Sequence, residues 1–389
     1  AKAALFPSLS FSTSQQVVNR PYQETSSRVS GSEIISSNSK TSYNGNYGLN
    51  VSWTLYNGNK RLKTIQQEKL NNQVAELDVA TSENNIQESI AQVYIQILYA
   101  AESVKVNEST LQVSIAQRDR GQELLNAGSI AKSDFAQLEA QVSTDRYQLV
   151  TAQATLEDYK LQLKQLLELD GENEMNIYLP ALSDENVLAP LPTKKDVYIS
   201  ALSLRPEIEA SKLNVEASEL GIGIAKSSYL PTISLSAGIG TNHTSGSDFT
   251  FGEQVKNGWN NSIGLSVSVP IFNNRQTKSA VQKAKLQYET SMLSLLDEQK
   301  TLYKTIEGLW LDANSAQQRY AAANEKLKST QISYELISEQ FNLGMKNTIE
   351  LLTEKNNLLQ AQQEQLQAKY MAILNTQLLK FYQGDQLAL

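Results

Sequence analysis

The sequence predicts an α+β membrane protein built from two tandem repeats, each a β-hairpin followed by a long antiparallel helical hairpin. Three observations carry that reading. The chain repeats itself at a nearly constant offset, its strand segments alternate apolar with small uncharged residues, and its helical stretches are too long for a globule.

The repeat organises everything else. Gly48-Leu49-Asn50-Val51-Ser52 resembles Gly264-Leu265-Ser266-Val267-Ser268, 216 residues further on. At the same offset Tyr94 falls on Trp310, Asn126 on Asn342 and Gly128 on Gly344. The helical parts therefore align without a gap, and each half reads as one structural unit. Further upstream, Ala1-Lys2 through Phe6-Pro7-Ser8-Leu9-Ser10 matches Ala225-Lys226 through Leu230-Pro231-Thr232-Ile233-Ser234 at an offset of 224. The second copy is preceded by a helical stretch from about Arg205 to Lys226 that the first lacks. Residues upstream of Ala1 are expected on that ground.

From Tyr43 to Leu55 the odd positions read Tyr, Gly, Tyr, Leu, Val, Trp, Leu, and the even positions are Asn, Gly, Ser or Thr. That is the period of a strand with two unlike faces. The second copy places Trp259, Ile263, Leu265, Val267, Val269 and Ile271 against Asn260, Ser262, Gly264, Ser266 and Ser268. Weaker partner strands run through Leu9 and Phe11, and through Ile233, Leu235 and Ile239. A soluble sheet covering a core would alternate too. The small, uncharged polar face instead suits a water-filled lumen, and aromatics stand near both ends of the apolar face. Tyr43 to Trp53 spans about 33 Å along a strand, or about 25 Å at a tilt of about 40°, the height of a barrel's apolar band. Tyr43, Trp53, Trp259 and Phe272 are accordingly the candidate membrane-interface aromatics. Four strands cannot close a barrel and lipid forbids open edges, so several chains must contribute. Two chains would supply eight strands and three would supply twelve.

The eight prolines lie at 7, 21, 180, 190, 192, 206, 231 and 270, leaving two long proline-free stretches. In the first, Ile86, Ile90, Val93, Ile97, Ala100 and Val104 step by four and three; in the second, Leu302, Ile306, Leu309, Ala313, Ala316, Tyr320, Ala323 and Leu327 do the same. These are coiled-coil seams. Helices over roughly Lys60–Leu125 and Gln276–Phe341 would each extend about 95 to 100 Å. They end at Asn126-Ala127-Gly128-Ser129 and Asn342-Leu343-Gly344-Met345, where glycine adopts the left-handed conformation that stops a helix. The returning seam runs Phe135, Leu138, Val142, Leu149, Ala152, Leu156, interrupted by Asp145.

The domains expected are a first β-hairpin (1–59), a first helical hairpin (60–170, tip near 126–130), a proline-bearing middle with the helix leading into the second repeat (171–228), a second β-hairpin (229–275), a second helical hairpin (276–383, tip near 342–346) and a tail (384–389). The middle is expected to form a small mixed collar on the helices, with a flexible linker as the alternative reading.

Composition narrows the function. A net charge of −7 gives no basic surface for nucleic acid. The absence of cysteine excludes disulfides, thiol nucleophiles and Cys-ligated zinc. No run of about 18 apolar residues is present, so any membrane crossing is by strands. The single histidine, His243, lies in an expected loop without a second ligand nearby, and no nucleophile–base pair or phosphate-cradling loop stands out. No enzyme activity, metal or cofactor is implied.

Strand hairpin, helical hairpin, proline-bearing middle, and the same again: in this order the chain resembles the TolC family of outer-membrane efflux and secretion channels. The telling pieces are Tyr229-Leu230-Pro231-Thr232-Ile233, Val269-Pro270-Ile271-Phe272, Arg205-Pro206-Glu207-Ile208 and Phe341-Asn342-Leu343-Gly344. The resemblance implies a homotrimer with a twelve-stranded barrel in the outer membrane and a periplasmic α-barrel tunnel, the middle segment forming an equatorial collar. It also implies a periplasmic adaptor docked at the tips around Asn126, Gly128, Asn342 and Gly344, and through it an inner-membrane transporter. Within that family a carboxylate ring near the periplasmic constriction favours cations. Its inner position corresponds to Glu350; the next corresponds to Thr353, which is uncharged, with Glu354 beside it. Side-chain links between hairpins close the family's tunnel. Lys346 stands where the family has arginine, with Ser133 and Asp134 as candidate partners. Phe341 replaces a tyrosine and donates no hydrogen bond. A structural or adhesive coiled-coil fibre with a β head is the competing reading; it explains the heptads but not the duplicated hairpin.

Overall fold

The computed structural model describes residues 1–22, 26–30, 33–37, 40–169, 177–178 and 187–387, with backbone alone for 26–30 and 33–37. The order is β1 (Ser8–Asn19), β2 (Ser26–Ser30), β3 (Glu33–Ser37), β4 (Thr41–Asn57), α1 (Lys60–Asn126), α2 (Lys132–Leu166), α3 (Lys194–Leu204), α4 (Pro206–Lys226), β5 (Thr232–Thr244), α5 (Phe251–Asn257), β6 (Asn260–Ser268), α6 (Gln276–Asn342) and α7 (Thr348–Gln383). The long helices repeat to the residue. Both α1 and α6 have 67 residues, and both they and the starts of α2 and α7 lie 216 apart.

The entry into each long helix repeats as well. Gly58 and Asn59 precede α1 with φ of 66° and 64°, and their counterparts Asn274 and Arg275 precede α6 with φ of 49° and 62°. At Gly58 a side chain is impossible for a second reason, since a Cβ there would sit 2.7 Å from the Ser227 carbonyl oxygen.

By packing, the chain forms two units, residues 1–75 with 211–295, and 76–210 with 296–389. Each draws on both repeats, so the expectation that one repeat makes one unit does not hold. A single hairpin cannot bury its apolar face and takes its partner from the other repeat.

In the first unit one antiparallel sheet runs β1-β4-β5-β6. Its register keeps like with like. Leu49 stands opposite Phe11 and Ile239, and Leu235 opposite Trp53 and Leu265, on one face; Asn50 stands opposite Ser10 and Gly238 on the other. Asn50 and Asn46 donate to the hydroxyls of Ser12 and Ser14 at 3.2 and 3.3 Å, so the polar face is laced by neutral hydrogen bonds. The alternation has one fault. A bulge between Thr54 and Tyr56 leaves Leu55 unpaired, so it does not continue the apolar row. Strand β6 stops at Ser268, short of Val269 and Ile271. Two elements were not anticipated: the β2–β3 hairpin between β1 and β4, and α5 in the segment read as a loop after β5; His243, expected in that loop, stands instead within β5 opposite Gly45. Helix α5 is held by a full capping box between Thr250 and Glu253.

In the second unit the seam of α6 is buried largely as expected, whereas on α1 only Ile97 and Ala100 of the expected seam are buried, Ile86 is exposed, and Ile95 and Leu98, outside that seam, carry the packing. Ile95 and Leu98 pack with Tyr320, Ala316 and Leu378; Leu302, Ile306 and Ala313 pack with Val197, Ala201, Ile208 and Leu379. Of the expected collar, α3 and the start of α4 are described and pack on this second cluster. The remainder of that expectation, including Pro180, falls outside the described residues. Helix α3 ends at Arg205 because the residue before a proline is driven to extended geometry, here φ −74° and ψ 124°.

Candidate functional site

The two helical tips are built alike from local sequence. At the first, Gly128 takes φ 71° and Ser129 N–H donates to the Leu124 carbonyl at 2.8 Å; at the second, Gly344 takes φ 74° and Met345 N–H donates to Gln340 at 2.8 Å. These are glycine-terminated helix ends. A Cβ at either glycine would meet no atom within 4 Å, so the requirement is conformational. Replacing Gly344 with alanine is expected to cost about 1 kcal/mol from the left-handed backbone alone, measured as a lowered melting temperature without loss of assembly. Asn126 and Asn342 are the last helical residues before these turns.

The helices leaving the tips start differently. Asn347 caps α7 through a full box: its Oδ1 accepts from Glu350 N–H at 2.9 Å, and its own N–H donates to Glu350 Oε2 at 3.3 Å. Helix α2 has half a box, because Ala131 offers no side-chain acceptor and only the Asp134 carboxylate reaches back to the Ala131 N–H, at 3.3 Å. Asp134 is thus engaged locally, and Ser133 is exposed beside it.

Lys346 lies 2.6 Å from Glu350 Oε1, within one chain and four residues apart. The structure brings these two predicted residues together and places neither Ser133 nor Asp134 in that pair. The Glu350 carboxyl is held below its ordinary value, first by the Lys346 ammonium and then by the Asn347 N–H. Thr353 turns its hydroxyl back onto the Ile349 carbonyl at 2.8 Å, while Glu354 accepts from Ser333 of α6 at 3.2 Å. Phe341 is buried with Leu138 and Leu351, joining the two hairpins by apolar contact.

Further ties between the hairpins involve residues the sequence did not single out. Gln117 of α1 donates to the Tyr334 hydroxyl of α6 at 2.8 Å, and Arg120 of α1 approaches the Asn342 carbonyl at 3.5 Å. Asp145 of α2 binds both Lys355 of α7 and Ser114 of α1, all three buried. Only Asp145 had left a trace, as the break in an apolar seam. Arg120, Gln117 and Lys355 look like ordinary solvated residues when periodicity is the only guide.

On the sheet, Tyr43 and Trp259 mark one end and Trp53 the other. Tyr43 and Trp259 are exposed; Trp53 is partly exposed and donates its indole N–H to the Leu5 carbonyl at 2.8 Å. Phe272 is exposed but lies beyond β6, in the connection to α6.

Comparison with known proteins gives one consistent result. A family profile described as outer membrane efflux protein matches residues 1–168 and 197–384. The outer membrane efflux protein BepC of Brucella suis is 23% identical over 332 residues, 85% of this chain and 70% of that protein. The outer membrane protein TolC of Escherichia coli is 23% identical over 324 residues, 81% of this chain and 64% of that protein, so the chain spans about two thirds of these relatives' length. Among solved structures, CusC, whose crystallography concerns folding and transmembrane channel formation, superposes with a TM-score of 0.80 at 19% identity, covering 99% of this chain and 84% of that one.

Proposed function

Because this chain belongs to the outer membrane efflux protein family, we propose that three copies of it close one passive conduit, gated at the periplasmic helical tips. It is a channel protein of the outer membrane and not an enzyme. The fibre reading has no support beside that membership.

The observation that carries the proposal is the sheet order. With β1 and β6 at its two edges, the four-stranded sheet has an apolar face and an uncharged polar face but no closure of its own. Unpaired edges are not stable in lipid, so β6 of one copy pairs with β1 of the next until the barrel closes around its polar face. Three copies give twelve strands. The long helices of the same copies then line the tunnel, and the tips form its entrance.

Exposed Leu343, Met345 and Ile349 at the second tip offer an apolar surface for a periplasmic adaptor, which would link the channel to an inner-membrane transporter in an efflux pump or type I secretion system. Asn126, Gly128, Asn342 and Gly344 set the shape of that docking surface. Lys346 and Glu350 act as one unit, a lysine that neutralises the entrance carboxylate while the gate is shut. Thr353 and Glu354 complete the entrance, and Ser133, Asp134 and Phe341 lie on the hairpin faces that meet there.

Single-channel recording in planar bilayers tests this. Lys346→Glu is expected to raise the conductance of the resting channel by placing two carboxylates together, and unchanged conductance would remove the pair from the gate. Glu350→Gln is expected to lower the preference for cations. Because Glu350's folded-state carboxyl titrates below its ordinary value, its stabilisation of the α7 cap and its charge are both present above the ordinary carboxylate range. Both are lost as pH falls through the lowered value, and cation preference should follow.

A further inference from the structure

The tips hold surface charges; a different kind of group lies further along the same helices. Lys355, Asp145 and Ser114 form a closed, buried ring in which Lys355 Nζ donates to both Asp145 and the Ser114 oxygen, and the Ser114 hydroxyl donates to Asp145. Gln141, one turn earlier on α2, donates to the second Asp145 oxygen at 2.9 Å. The ring joins three helices and both repeats: α1 and α2 from the first hairpin, α7 from the second. Lys355 lies seven residues into α7, about 10 Å from its start.

The repeat supplies an internal comparison. At the 216-residue offset the counterparts of Ser114, Asp145 and Lys355 are Thr330, Ala361 and Glu139. Ala361 is fully buried, so an apolar residue fits this seam position where the fold needs only packing. The polar ring is therefore not a demand of the helical-hairpin scaffold. Nor is it there for stability, because a buried ion pair seldom improves on an apolar replacement of like volume. In keeping with this, burial pushes the Lys355 amine below its ordinary value, outweighing the pull of Asp145.

An ionic tie does have one property an apolar seam lacks. Both partners are rehydrated when they part into water, so it fixes register and partner choice while adding little to the work of opening. We propose that the Lys355–Asp145–Ser114 ring is a second closure point of the tunnel, deeper than the tips, which holds α7 against the α1–α2 hairpin in the shut state and separates on opening. This rests on the reading that the tips gate the channel.

The test uses the whole trimer in planar bilayers and exploits the absence of cysteine from the chain. Lys355→Glu, in assembled trimers, is expected to raise resting conductance several-fold, and the exchange Asp145→Lys with Lys355→Asp is expected to return it toward the starting level. Separately, Asp145→Cys with Lys355→Cys, joined by a short thiol-reactive cross-linker, is expected to keep the channel shut in the Lys346→Glu background, and uncoupling should release it. If cross-linked trimers conduct as freely as uncoupled ones, the ring is a fixed joint and the proposal is overturned. Should Lys346→Glu alone fail to open the channel, the tip reading falls. The Lys355→Glu arm then judges the ring by itself: increased conductance supports it, and unchanged conductance of folded trimers rejects it.

Discussion

Arg205→Met should lower the stability of the helical unit by roughly 3–5 kcal/mol, the usual consequence of removing one partner from a buried ion pair. The Arg205 guanidinium is buried, donates to Glu207 at 2.8 Å and Glu88 at 3.2 Å, and lies 4.2 Å from the centroid of the Tyr382 ring. One side chain thereby ties the α3–α4 corner to α1 and α7. Its removal strands two carboxylates in a poorly hydrated place. Burial already raises the Glu88 carboxyl, against the opposing pull of Arg205. A raised carboxyl favours the folded state below its ordinary value and loses that contribution as pH rises through the raised one. The deficit of Arg205→Met should accordingly be largest at neutral pH and shrink on acidification. Arg205→Lys keeps the charge but not the two-pronged fork or the stacking on Tyr382, and should fall between. Thermal unfolding across pH measures all three points; a variant as stable as the parent at neutral pH would mean the corner is held by its apolar contacts alone.

Leu49→Arg carries the second large effect. Leu49 lies midway between the aromatic ends of β4, on the face shared with Phe11 and Ile239. If that face meets lipid, a cation there costs about 2–4 kcal/mol per copy, enough to abolish insertion when every copy carries it. Asn50→Lys, one residue on, sits on the opposite face beside Ser10 and Gly238. It should insert normally and reduce cation conductance. Outer-membrane fractionation with bilayer recording separates the two. Equal tolerance of both charges would show that neither face meets lipid.

Much of this architecture was legible in the residues because its elements are long and their periods are local. Strand alternation from Tyr43 to Trp53, the four-three steps of the helical seams and the glycine stops at 128 and 344 all follow from backbone geometry acting over a few neighbours. The repeat doubled each of these signals. Leu55 was misread because a bulge changes the phase of a strand without changing its composition. The β2–β3 hairpin and α5 escaped because short polar segments carry too little period to declare themselves.

The candidate site was legible only through the family resemblance, which marked Glu350 as an entrance carboxylate and Lys346 as a closing-link candidate with Ser133 and Asp134 as partners. The structure pairs Lys346 with Glu350 instead, four residues further along the same chain. The buried ring of Ser114, Asp145 and Lys355 joins residues 31, 210 and 241 positions apart, and no local pattern brings them together. By itself the sequence determined the order, type and approximate length of the long helices and the sidedness of the main barrel strands, since these depend on interactions within a few residues. Which repeat packs on which, and which lone polar residue finds a buried partner, only the tertiary structure decided. Such contacts are selected by the desolvation cost of whole surfaces, and that cost exists only once distant segments have met.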